Sequence, residues 1–237
     1  MKILGIDSSG LVASAAICSD DTVVAEFTVN NKQTHSQTLL PMIEQVVEMS
    51  GIALEELDAI AVASGPGSFT GLRIGAATAK GLGLALKVPL VAVPTLEGLA
   101  YRLAGMDGMI CPMMDARRSQ VYSGIYQVSD QKLDVICAQD ALSIQDIIRK
   151  INELGQKVTV LGDGVPVHRD LLKEQLTVEW QEAPMHLSRQ SAAAVAVLGQ
   201  RYLSEGKEQT AAAFRPDYLR KSQAEREREA AQKMLSK

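Results

Sequence analysis

The sequence predicts an α/β protein built on mixed sheets, and three observations carry that expectation. The chain opens on three apolar, β-branched runs, Lys2 to Asp7, Val12 to Cys18 and Thr22 to Val29, joined by short polar turns, which reads as an antiparallel meander. Beyond residue 34, helix-length stretches alternate with short apolar runs, the pattern of strand–helix–strand units with right-handed crossovers. Within that region Ala59 to Leu86 reads as strand, glycine turn and helix in one continuous unit.

Each element has a local cause. Thr34 or Ser36 can cap a helix that runs to about Ser50, where Gly51 stops it. Its apolar positions, Leu39, Leu40, Met42, Ile43, Val46, Val47 and Met49, wrap wider than one core-facing stripe, which makes its outer side a candidate for a partner. Strand Ala59 to Ala63 breaks at Gly65-Pro66-Gly67, and Ser68 or Thr70 can cap the helix that follows to Leu86. From Leu72 to Leu86 that helix carries only Arg73 and Lys80 as charges, so it has no polar face for water. One side is expected on a sheet and the other on a second chain or on another part of this one. Gly75, Ala76, Ala79 and Gly83 leave room for a close backbone. The uncharged run Gly81 to Leu86 is far shorter than the ~20 residues a bilayer span needs. Pro89 introduces a strand, Leu90 to Val93, and Pro94-Thr95 starts a helix through Leu103.

After Gly105 and Gly108 a second strand-rich region begins. Met109 to Met114, the turn Asp115 to Ser119, Val121 to Gln127 and strands near Leu133 to Cys137 and Val158 to Leu161 frame a helix at Ile144 to Leu154. Ser188 can cap an apolar helix, Ser191 to Leu203, and a charge-laced helix begins at Gln223. The chain is accordingly expected to divide into residues 1–104, carrying the two apolar helices, and 105–237, ending in the charged helix.

Composition narrows the function classes. At 237 residues and 46% hydrophobic, the chain can bury a sizeable core. A net charge of −4 supplies no general attraction to nucleic acid, so any RNA contact is local or made through a partner. Cys18, Cys111 and Cys137 lack a C-x-x-C spacing, which suits a reducing compartment. A first strand that starts at Lys2, with no leader pattern, points to the cytoplasm and away from a membrane.

Strand, glycine turn and helix is an anion-site layout, because glycines admit close approach to backbone N–H groups and a helix N-terminus offers unpaired donors. Gly65 and Gly67, with Asp7 and Ser8 at the end of the first strand, are therefore candidate nucleotide or phosphate contacts. A plain turn at Gly65 to Gly67 and an Asx-turn at Asp7 account for the same residues. The Gly-Lys-Ser/Thr of a P-loop is missing, Thr70 stands where a dinucleotide fingerprint needs glycine, and Pro66 and Thr70 stand where a nucleophile elbow needs glycines. His35, His168 and His186 are too scattered for a metal-ligand spacing. Asp163, in Leu161-Gly162-Asp163-Gly164, is a second candidate acid, with a plain turn as the other reading.

The run Gly65-Pro66-Gly67-Ser68-Phe69-Thr70-Gly71-Leu72-Arg73-Ile74-Gly75 closely resembles the bacterial TsaB family, also called YeaZ. So do Ile3-Leu4-Gly5-Ile6-Asp7-Ser8-Ser9, Asp115-Ala116-Arg117 and Pro216-Asp217-Tyr218-Leu219-Arg220. The resemblance implies two subdomains of the actin-like, sugar-kinase-like ATPase fold. It implies an accessory subunit, required with the catalytic paralogue TsaD and with TsaE, for threonylcarbamoyl transfer to adenosine 37 of ANN-decoding tRNAs. The family's paralogue carries a His-Met-Glu-Gly-His metal motif that falls here on Thr95-Leu96-Glu97-Gly98-Leu99, so both imidazole ligands are replaced. The expectation is a non-enzymatic partner with no catalytic residues, no metal and no required cofactor, ATP or ADP belonging at the interface with the paralogue. Alone it is expected to form a homodimer, with TsaD a heterodimer, and to meet tRNA through the complex. The interface is placed on Leu39, Ile43 and Val46 of the earlier helix and Leu72, Gly75, Ala76, Ala79 and Gly83 of the later one. The rivals are a weak ATPase or phosphotransferase centred on Asp7, and a glycoprotease-like peptidase.

Overall fold

The computed structural model describes residues 1–31 and 33–220. Two mixed sheets form, each covered by helices. The first contains β1 (Lys2–Asp7), β2 (Ala13–Ser19), β3 (Thr22–Val29), β4 (Ala59–Gly65), β5 (Leu90–Pro94) and β11 (Glu208–Gln209), in the order β11-β5-β4-β1-β2-β3. β1, β2 and β3 are the expected antiparallel meander, while β4 and β5 join it in parallel. The second contains β6 (Gly108–Asp115), β7 (Gln120–Ser129), β8 (Lys132–Ser143), β9 (Val158–Leu161) and β10 (Trp180–Glu182), in the order β10-β9-β6-β7-β8. This is the expected actin-like arrangement of two mixed sheets flanked by helices.

Alternation along the strands assigns the layers. Leu4, Ile6, Ile60 and Val62 face α1 (His35–Ser50) and α2 (Phe69–Leu86), while Ile3, Ala59, Ala61 and Val93 face α6 (Ala192–Ser204). In the second sheet Met109, Cys111, Val158 and Val160 pack under α4 (Ile144–Leu154) and α5 (Gly164–Gln175). The opposite face, with Ile110, Met114 and Tyr126, packs on α3 (Thr95–Tyr101). α3 also meets β4 and α6, so this short helix is the shared layer between the two lobes.

The structure departs from the sequence reading in four places. α5 follows directly from a segment read as a plain turn; Val165, His168 and Leu172 supply its buried stripe, and Pro166 sits in the first turn, where a missing N–H costs no intrahelical bond. β8 runs on to Ser143, beyond the expected Cys137. The hydroxyl that caps α6 is that of Ser191, which accepts from the Ala194 amide, rather than that of Ser188. Residues of the last quarter also return home: α6 and β11, assigned by sequence to the second half, pack on the first sheet. The charged helix expected from Gln223 lies outside the described residues. Among the described residues no helix is long and apolar enough to cross a membrane.

Candidate functional site

β1 and β4 lie in parallel, with Ile3 opposite Ala59 and Ile6 opposite Val62, so the turns that leave them emerge side by side at the carboxyl ends of the strands. That is where open α/β sheets hold ligands. Asp7, Ser8, Gly65 and Gly67 are thereby brought to one place.

Each is bonded to its own surroundings there. Asp7 is buried, and its Oδ1 accepts from the Ser9 amide at 2.9 Å and the Ser9 hydroxyl at 2.6 Å, which closes the Asx-turn. Burial pushes its carboxyl up to about 6 against the pull of the two Ser9 hydrogen bonds and the charge of His35. The buried Ser8 hydroxyl donates to the Gly71 carbonyl at 2.9 Å. The Gly65 amide donates to Thr95 Oγ1 at 3.1 Å, and the Ser68 amide to the Ser9 carbonyl at 2.7 Å.

The glycines of the turn serve close approach within the chain. Gly65 has φ +123° and its α-carbon faces the Asp217 carbonyl, where a Cβ would collide. Gly67 faces the Ser9 carbonyl in the same way. Of the groups that suggested a phosphate cradle, the Gly65 and Ser68 amides are spent internally, and the Ser68 hydroxyl caps α2 by accepting from the Gly71 amide at 3.3 Å.

Between the lobes lies a cleft of about 530 Å³. Leu11 and Phe69 line it from the first lobe, Tyr122 and Val167 from the second. Asp115 and Asp163 meet at its second-lobe wall, the Asp115 amide donating to Asp163 Oδ1 at 3.1 Å, and burial raises the Asp163 carboxyl above its ordinary range. The following turn holds three successive left-handed residues, Arg117, Arg118 and Ser119, at φ 61°, 56° and 57°.

A strap of chain closes one side of the cleft. Phe214 is buried in the first lobe and its carbonyl accepts from Lys80 Nζ at 3.2 Å. The Asp217 amide donates to the Ser64 carbonyl at 2.7 Å, Tyr218 packs on Phe69 with centroids 4.8 Å apart and ring planes tilted by 39°, and Arg73 lies 3.9 Å over the Phe69 ring. Arg220 Nη1 then donates to the Ala116 carbonyl of the second lobe at 2.6 Å. Tyr218 and Gln139, whose amide bridges the Gly65 carbonyl and the Leu96 amide, are site residues that local pattern did not mark. Their partners lie far away in sequence, and only the resemblance drew attention to the Tyr218 segment.

At the positions of the paralogue's metal motif, the Thr95 hydroxyl accepts from Gly65, Leu96 and Leu99 are in the core, and Glu97 accepts from the Tyr202 hydroxyl. Among the described residues no cluster of three His, Cys, Asp or Glu is placed to hold a metal ion.

The residues expected at an interface lie as follows. Leu39, Ile43 and Val46 of α1 and Leu72, Gly75, Ala76, Ala79 and Gly83 of α2 are all buried inside this chain. A Cβ at Gly75 would collide with Ser8 Oγ, and one at Gly83 would lie 2.9 Å from Leu90 Cδ2. The faces that point outward are the other ones, with Leu40 at 59%, Met49 at 79% and Leu84 at 64% exposure. The small residues let α2 settle on its own sheet and on the β1–β2 turn.

The family model for TsaD, described as tRNA N6-adenosine threonylcarbamoyltransferase, matches residues 22–228. The tRNA threonylcarbamoyladenosine biosynthesis protein TsaB of Bacillus subtilis (strain 168) is 35% identical over 230 residues, 95% of this chain and 96% of the relative. TsaB of Escherichia coli (strain K12) is 33% identical over 177 residues, 73% and 76% of the two chains. A solved Pseudomonas aeruginosa protein, described as uncharacterized with similarity to peptidase YEAZ, superposes with a TM-score of 0.79 at 26% identity, covering 92% of this chain and 99% of its own. Identity of 35% over nearly the whole of one TsaB protein and of 33% over about three quarters of another, on a fold shared with a YeaZ-like structure, places this chain in the TsaB (YeaZ) family.

Proposed function

We propose that this chain is a non-catalytic partner subunit in the biosynthesis of threonylcarbamoyladenosine on tRNA, acting with the transferase TsaD and with TsaE. The observation that carries the reading is a set of exposed apolar residues on α1 and α2. Leu40, Met49 and Leu84 stand exposed on two helices that already bury a full stripe in their own core, and α2 turns Gly81 and Ala85 outward beside them. Exposed apolar side chains beside the uncharged outer side of α2 suit a protein interface. A second copy occupies it when the chain is alone, and TsaD occupies it in the working complex.

In this reading the chemistry belongs to TsaD. Asp7, Ser8, Thr95 and Glu97 are each engaged by a neighbour in the chain, and the imidazole positions hold a threonine and a leucine. The chain needs no cofactor of its own in this reading; ATP or ADP belongs at the junction with TsaD, and the assembly works in the cytoplasm.

Sedimentation of the chain alone and mixed with TsaD, followed by the tRNA modification assay on each sample, tests the proposal. A new mixed species, with modification only in the mixture, is the expected result. Failure to form it, or magnesium-dependent nucleotide turnover by this chain alone that Asp7→Asn abolishes, overturns it.

A further inference from the structure

We infer that the cleft between the lobes receives one nucleotide of a single-stranded RNA, with its base against Tyr218 and its phosphate at Arg117 and Arg220. The inference rests on the tRNA reading above and adds to it a contact made by this chain directly.

The walls suit a flat ring. Leu11 from the first lobe and Val167 from the second both line the cleft while 62% and 60% exposed, which leaves apolar walls open to a ring. Tyr218 is 39% exposed, with Phe69 packed on it and Arg73 on Phe69, so the platform is already ordered before a base arrives. Bases stack on such aromatic groups with little regard to sequence. A volume of about 530 Å³ admits a single nucleotide.

The rim suits a sugar–phosphate chain. Arg117 and Arg118 are exposed on the left-handed turn, and neither forms an ion pair among the described residues. Arg220 is fixed beside them by the Ala116 carbonyl, which engages one of its guanidinium nitrogens. Asp115 and Asp163 do not simply oppose a phosphate: Asp163 Oδ1 accepts from the Asp115 amide and Asp115 Oδ1 from the Arg117 amide, which shapes the turn, and their remaining oxygens are acceptors for ribose hydroxyls.

A free nucleotide offers the same base and phosphate, but the geometry favours the polymer. A di- or triphosphate needs a cradle of backbone amides, and those of Gly65 and Ser68 are committed to Thr95 and Ser9. The arginines instead continue past the cleft onto the outer turn, where the next phosphate of a chain would run.

The test is fluorescence anisotropy of a labelled short oligoadenylate RNA with the full chain, alone and in complex with TsaD, using AMP and magnesium–ATP as competitors. Asparagine tolerates the left-handed backbone, so Arg117→Asn with Arg118→Asn keeps the turn, and Arg149→Ala on α4 is the remote control. Tyr218→Leu is expected to weaken RNA binding about tenfold. The double arginine variant is expected to weaken it several-fold and to lower the salt slope by about 1.4. Thermal melting separates loss of binding from loss of fold, and the arginine pair, being exposed, carries the result if Tyr218→Leu melts early.

RNA affinity unchanged in the arginine variant, or no binding by the parent chain, overturns the inference. So does displacement of the RNA by AMP at equal affinity, which would assign the cleft to a free nucleotide. If TsaD still needs this chain for modification while the oligonucleotide ignores the cleft, the inference falls and the partner role stands. If no mixed complex forms, the partner role falls whatever the cleft binds.

Discussion

Asp7 carries an electrostatic cost that its neighbours only partly offset. Its folded-state carboxyl titrates near 6 against 3.8 for the free group, chiefly because burial disfavours the charge. Below about 3.8 the group is neutral folded or unfolded and the cost is absent; as pH rises through about 6 the folded protein must bear the buried charge, so stability falls across that window. Asp7→Asn keeps an acceptor for Ser9 and removes the charge. Thermal melting from pH 4 to 8 should show a higher Tm than the parent at pH 8 and a flatter profile. A lower Tm at pH 8 would contradict the burial argument. At the neighbouring turn, Gly65→Ala must place a side chain at φ +123° and against the Asp217 carbonyl. A loss of roughly 2–4 kcal/mol in denaturant unfolding is expected from strain and overpacking together. The sequence marked Asp7, Gly65 and Gly67 as candidate phosphate contacts and left ligand and packing open. The answer sits in Thr95, Ser9 and Asp217, which no local window around Gly65 contains.

α2 shows how far periodicity reaches. Leu72, Gly75, Ala76, Ala79 and Gly83 form its inward stripe, and Arg73, Gly81 and Leu84 stand on the other side. Both sides are nearly free of charge, so the pattern could say that the helix has two apolar faces and could not say which one meets the sheet. The charged pair Arg73 and Lys80, seven residues apart, was the one local sign of the outer side. Leu84→Arg, and Met49→Lys on α1, should abolish association in sedimentation while leaving the melting curve within about 0.5 kcal/mol of the parent. Gly83→Leu should instead lower stability sharply, since its side chain would enter the space of Leu90. A well-folded Gly83→Leu monomer would return the interface to the inner stripe.

The two lobes are joined by few polar ties at the cleft. Gln139 on β8 reaches across to the Gly65 carbonyl at 3.1 Å and the Leu96 amide at 3.4 Å, and the strap ties Ser64 to Ala116 through Asp217 and Arg220. Gln139→Ala should cost about 1–3 kcal/mol and hasten hydrogen exchange at the Leu96 amide, with the interiors of both sheets less affected. Equal acceleration throughout would show that the lobes melt as one body and that this tie is not a separate weak point.

By itself the sequence determined the local grammar: the meander of β1 to β3, the break at Gly65-Pro66-Gly67, the stop of α1 at Gly51 and the helix from Ile144 to Leu154. Those features follow from side-chain alternation, turn chemistry and capping, which act over a few residues. Tertiary structure decided which face of α2 is inside, that α6 returns to the first sheet, and that the glycine turn receives Asp217 and Ser9. Those outcomes depend on contacts between segments separated by tens to hundreds of residues, where burial is shared among elements and no single stretch carries the preference.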